Sequence, residues 1–112
     1  MTEKLVRKLT YTREAQNDLE SIAKYTQRNW GTDKRREYLR QLNEKAKLVA
    51  AMPRVAVSRG DIERGCRTFV AGQHLLVFRV VGQRLEVLRV LHMSMDVERE
   101  ILRKRTEPEL ER

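Results

Sequence analysis

The sequence predicts an α+β fold: an antiparallel sheet packed on an N-terminal helical hairpin, in the order strand–helix–helix–three strands–short C-terminal helix. Three observations predict it. Apolar residues recur at helical spacing up to about Met52, β-branched and aromatic runs replace them after Gly65, and each gap between those runs is the dipeptide Gly-Gln. A length of 112 residues, 40% of them apolar, fits one core-forming domain. We expect that domain to span 1–104, with 105–112, "RTEPELER", as a flexible tail.

Residues 4–11, "KLVRKLTY", alternate loosely and read as a short strand. Thr12 is placed to cap a helix over about 13–29, because its hydroxyl can accept from a free N–H of the first turn. Ala15, Leu19, Ile22, Ala23 and Thr26 form that helix's apolar stripe. Gly31 in "WGTD" can take a positive φ at its end, and Thr32 is expected to cap the next helix. That helix runs to about Met52 on a stripe of Tyr38, Leu39, Leu42, Ala46 and Val49, with Pro53 just beyond. Residues 53–65 carry one proline and two glycines and read as a loop.

"CRTFVA", "HLLVFRVV" and "RLEVLRVL" then read as three strands. Glycine first in a two-residue loop fits a type II′ turn, so Gly72-Gln73 and Gly82-Gln83 should set the register of two hairpins. Arg79 then faces both Cys66 and Glu86, and Thr68 faces Val77. One sheet face should carry Phe69, Ala71, Leu76, Phe78, Val80, Leu85, Val87 and Leu91 against the helices. The other should carry Cys66, Thr68, Val70, Leu75, Val77, Arg79, Glu86, Leu88 and Val90. That second face is largely apolar and needs a cover. A helical segment at 95–104 can supply part of it, and a partner protein is the natural source of the rest.

The whole net charge of +8 falls in residues 1–96, which hold 19 Lys+Arg and 11 Asp+Glu. Such a body favours an anionic partner, either nucleic acid or an acidic protein segment. Aromatics at 5% supply few platforms for base stacking. The lone Cys66 and a charged N-terminus without an apolar core point to the cytoplasm, and no run is long enough to span a membrane.

No phosphate-binding glycine loop or paired-cysteine metal spacing occurs, so neither metal nor cofactor is expected. Cys66 reads as a packing residue. His92 and Asp96 resemble an acid–base pair, but their placement favours a structural corner: Asp96 as helix N-cap, His92 bonding around the turn. Arg67 and Arg89 need partners if they face the helices, and Asp18 or Glu37 could serve.

"AQNDLESIAKYTQRNWG", "YLRQLNEKAKLVAAMP" and "DIERGCRTFVAGQHLLVFRVVGQRLEVLRVLHMSMD" together resemble the ParE toxins of bacterial type II toxin–antitoxin systems, over about residues 5–102. The resemblance implies the same fold and a toxin that poisons DNA gyrase by protein–protein contact, without a catalytic residue. It also implies a ParD-like antitoxin with a DNA-binding half and an acidic half that folds on the toxin, hence a hetero-oligomer. It implies no sequence-specific DNA binding by this chain. The related RelE-type toxins cut mRNA on the ribosome with cations on the sheet and groups near the C-terminus. The corresponding sheet positions here, near Cys66, Thr68 and Leu75, are not cationic, and no tyrosine follows His92. A ribonuclease would need His92, Arg79 and Arg67 in another arrangement. A non-toxic basic binding module is the further alternative. The expected antitoxin surface comprises Leu75, Val77, Arg79 and Leu88 with Arg36 and Arg40 of the second helix. The segment from Met95 to Arg103, with Asp96 and Arg99, is expected to face the target.

Overall fold

The computed structural model describes residues 7–102. Its strands and helices run β1 (Lys8–Tyr11), α1 (Arg13–Trp30), α2 (Thr32–Ala51), β2 (Val57–Ser58), β3 (Cys66–Ala71), β4 (His74–Val81) and β5 (Arg84–His92). Residues 97–102, α3, form one further helix at the C-terminal end of the described chain. The expected start of the first strand at residues 4–6, Arg103 and the tail 105–112 lie outside the described residues.

α1 begins where the sequence predicts. The Thr12 hydroxyl accepts from Ala15 N at 3.1 Å and donates to Leu88 O at 2.9 Å, so one side chain caps the helix and ties it to β5. The stripe of Ala15, Ile22, Ala23 and Thr26 is buried, and Thr26 returns its hydroxyl proton to Ile22 O. Gly31 ends α1 at φ +96°, but it also starts α2 directly. Thr32 is therefore the first helical residue rather than the cap, because a one-residue connection leaves no room for a separate capping residue. α2 buries Leu42, Ala46, Val49 and Ala50.

The sheet order is β1-β5-β4-β3-β2. β2 to β5 are antiparallel, and β1 lies parallel to β5 at one edge, Lys8 opposite Arg84 and Tyr11 opposite Val87. The segment 53–65, read as a loop, holds a single 3-10 turn at Pro53–Val55 and the two-residue strand β2, which covers Arg67 and Thr68 of β3. Gly72 and Gly82 both sit at φ +61°, and among the described residues only glycines have positive φ. A positive first turn residue followed by a negative one is the type II′ pattern, so both hairpin turns form as predicted. At Gly72 space is also short: a Cβ there would lie 2.8 Å from the Tyr38 hydroxyl oxygen.

Arg79 faces Cys66 and Glu86, and Thr68 faces Val77, as the turns dictate. The register then slips. Phe78 pairs with Val87 but Val77 pairs with Arg89, leaving Leu88 as the extra residue of a β-bulge. One inserted residue inverts every later side chain. Val90 therefore joins the helix-side core with Leu76, Phe78, Leu85 and Val87. Leu91, expected on the helix side, packs instead with Cys66, Val77, Ile62 and Ile101 on the opposite face.

Candidate functional site

The sheet face away from the hairpin is the surface that the sequence leaves without a full cover. α3 supplies part of that cover from within the chain. Asp96 caps it, its carboxylate accepting from Arg99 N at 3.2 Å and its carbonyl from Glu100 N at 3.0 Å. Val97 and Ile101 then point at the sheet and pack over Cys66, Val77 and Leu91. The remainder stays open: Val70 on β3 is 50% exposed and Val57 beside it on β2 is 63% exposed. Met93, Met95 and Leu102 add exposed apolar surface around α3.

The corner before α3 forms as the sequence suggests. His92 Nδ1 accepts from Ser94 N at 3.1 Å and lies 2.9 Å from Ser94 Oγ, while His92 O accepts from Met95 N at 2.9 Å. A nitrogen that accepts from a backbone N–H carries no proton, so the network assigns the His92 ring proton to Nε2.

A second histidine, not singled out in the sequence, meets this corner. His74 lies directly across from His92 at the open end of β4 and β5, with ring centroids 5.4 Å apart, edge to face. The Tyr38 hydroxyl accepts from Gln73 N at 2.9 Å and shares a 2.6 Å hydrogen bond with His74 Nδ1. Burial, then the neighbouring His92, holds the His74 pKa below the ordinary histidine value, with Asp18 pulling weakly the other way. The two rings floor a groove of about 660 Å³ between α1, α2 and the sheet, walled by Ile22, Tyr25, Trp30 and Lys34. Trp30 is 68% exposed there. The signal in the sequence was Tyr25 and Trp30 lying off the apolar stripe of α1, where burial does not account for an aromatic side chain.

The expected antitoxin-facing residues separate in space. Arg36 and Arg40 are exposed on α2, with Arg36 3.6 Å from Asp33. Leu75 and the bulge residue Leu88 are half-buried. Arg79 lies between Glu86 at 3.0 Å and Glu63 at 3.9 Å. Val77 has no exposed surface, because α3 lies over it. Met95, Asp96 and Arg99 are exposed together on the corner and first turn of α3.

Of the two arginines that needed partners, Arg89 takes Asp18, and Arg67 donates to Ala56 O at 3.5 Å. Glu37 pairs with Lys34 on the surface instead. Cys66 is buried, and burial first, then Glu63, pushes its thiol pKa up, which disfavours the nucleophilic thiolate. Among the described residues no cluster of three His, Cys, Asp or Glu side chains could hold a metal, and no helix is long and apolar enough to cross a membrane.

Comparison with known proteins adds the following. A family model described as "ParE toxin of type II toxin-antitoxin system, parDE" matches residues 9–97. Toxin ParE1 of Mycobacterium tuberculosis is 41% identical over 88 residues, covering 78% of this chain and 90% of the relative. Toxin ParE1 of Caulobacter vibrioides is 33% identical over 85 residues, covering 76% and 88%. Among solved structures, a chain of the chromosomal ParDE toxin–antitoxin system from P. aeruginosa superposes with a TM-score of 0.67 at 24% identity, covering 78% of this chain and 96% of that one.

Proposed function

The chain belongs to the ParE toxin family of type II toxin–antitoxin systems, and from that premise we propose that it poisons DNA gyrase by protein–protein contact and is neutralised by a ParD-like antitoxin. The observation that carries this reading is the chemistry of the sheet. Where RelE-type ribonucleases of the same superfamily hold phosphate with cations, this chain has Cys66, Thr68 and Leu75, the first two buried. The lack of cations at these positions supports action by protein contact over stabilisation of a cleaved phosphodiester.

The antitoxin is the second half of the proposal. An acidic segment that folds on binding suits both the +8 body and the open apolar strip at Val57 and Val70. Leu75, paired with Val70, is the group next to that strip, and Arg79 on β4, Leu88 on β5 and Arg36 and Arg40 on α2 are the further groups offered to the antitoxin. Val77 becomes reachable only if α3 lifts. The target-facing part is the corner and α3, from Met95 through Asp96 and Arg99 towards Arg103. The reaction compartment is the cytoplasm, where gyrase works.

A supercoiling assay with purified gyrase tests the proposal. Addition of the toxin should inhibit supercoiling or accumulate cleaved DNA, and the co-encoded antitoxin should reverse this. Unaffected gyrase together with ribosome-dependent mRNA cleavage that requires His92 would overturn it. Unaffected growth on conditional expression without antitoxin would make the chain a non-toxic binding module.

A further inference from the structure

We propose that Asp18 is the positioning residue of α3: acting through Arg89, it locks the short C-terminal helix onto the sheet. The functional half of this inference rests on the target-facing role proposed above for residues 95–103.

β1 ends at Tyr11, so among the described residues β5 beyond Val87 has no strand neighbour on that side. Thr12 takes Leu88 O, and Asp18 takes the next outward group, Val90 N, at 2.9 Å. The same carboxylate accepts from Arg89 Nε at 2.8 Å and Nη2 at 3.0 Å. Arg89 is only 16% exposed, as is Asp18. The bond to Asp18 is the main cause of the raised Arg89 pKa. The remaining Arg89 nitrogen, Nη1, lies 3.9 Å from Glu100 of α3. One guanidinium thus joins α1, the bulged end of β5 and the C-terminal helix.

α3 depends on such a tie. The described part of α3 is six residues, shorter than a helix that holds together alone in water. Its apolar grip among the described residues consists of Val97 and Ile101. Without the Asp18 charge, a nearly buried Arg89 loses its bidentate partner and must turn to water or to Glu100 alone. Either move disturbs the strand end on which α3 is mounted.

Cys66, 1% exposed beneath Ile101, reports on the docking of α3. In Asp18→Asn, reaction of Cys66 with a thiol reagent under native conditions should accelerate on the order of tenfold, and the rate should not depend on denaturant, the mark of local opening. Adding Glu100→Gln should give little further acceleration, because both changes break the same bridge. Should Asp18→Asn not fold, Glu100→Gln alone gives the same reading, with about threefold acceleration. Unchanged Cys66 protection in the folded variants overturns the proposal, as does exposure that rises with denaturant like global unfolding. Conditional expression separates the two halves: lost growth arrest with an exposed Cys66 supports both. Full growth arrest with an exposed Cys66 upholds the clamp and overturns the target-facing role.

Discussion

The two faces of the sheet are covered in unlike ways. On one side, α1 and α2 bury thirteen of the described residues in a continuous core that includes Leu76, Phe78, Leu85 and Val87. On the other, α3 closes a cluster of five, Ile62, Cys66, Val77, Leu91 and Ile101, and leaves Val57 and Val70 open beside it. Two long helices joined by one residue, each with its own apolar stripe, hold the first face by many contacts. The second depends on a cap, two apolar side chains and an ion-pair bridge. The first face carries the larger core, and the second, with fewer buried side chains, is the one expected to open locally at lower free energy.

The largest test of that contrast is Phe78→Ala. Phe78 is fully buried on the hairpin side, and its loss should destabilise the whole domain by about 4 kcal/mol. Chemical denaturation would show this as a single shifted transition. Ile101→Ala should cost about 2 kcal/mol, at the low end for such a truncation, and mostly as local detachment of α3. Hydrogen exchange should then quicken over β3 residues facing α3 while the amides of α1 stay protected. Equal loss of protection everywhere would mean that the two faces form one cooperative unit.

The smallest effect sharpens the boundary between the faces at His74. Its folded pKa is below its unfolded value, so the unfolded chain binds more protons in that window. Its contribution to stability is therefore complete above the ordinary histidine pKa of about 6.5 and is lost as pH falls below it. Melting temperature should decline from pH 7.5 to 5.5, and His74→Gln should flatten the decline. A decline that persists unchanged in that variant would remove His74 from the account.

Much of this was legible in the residues. Thr12, the stripes of α1 and α2 and both Gly-Gln turns act within a few residues of themselves, and each behaves as its local chemistry requires. The corner at His92 and Asp96 was legible for the same reason: its bonds span at most four residues. The bulge at Leu88 was not. "VLRV" contains no glycine or other mark of an inserted residue, and the inserted Leu88 is the residue whose carbonyl accepts from the distant Thr12 hydroxyl. The exchange of Val90 and Leu91 between faces, and the burial of Val77, follow from it and from α3. β2 is too short to carry a periodic signal. Asp18 could be named as a partner for Arg89, but Glu37 had an equal claim until the fold set one of them beside the strand edge.

The order of the longer elements, the helix stripes and the hairpin turns followed from the residues alone, because propensity, capping and turn chemistry act over a few bonds. Only the tertiary structure decided that β1 runs parallel to β5, which strand edge was left bare, and that one carboxylate in α1 meets that edge and the arginine holding the last helix. Those choices depend on distances between residues about seventy apart in the chain, where local pattern carries no information and only the packing of the whole selects the partner.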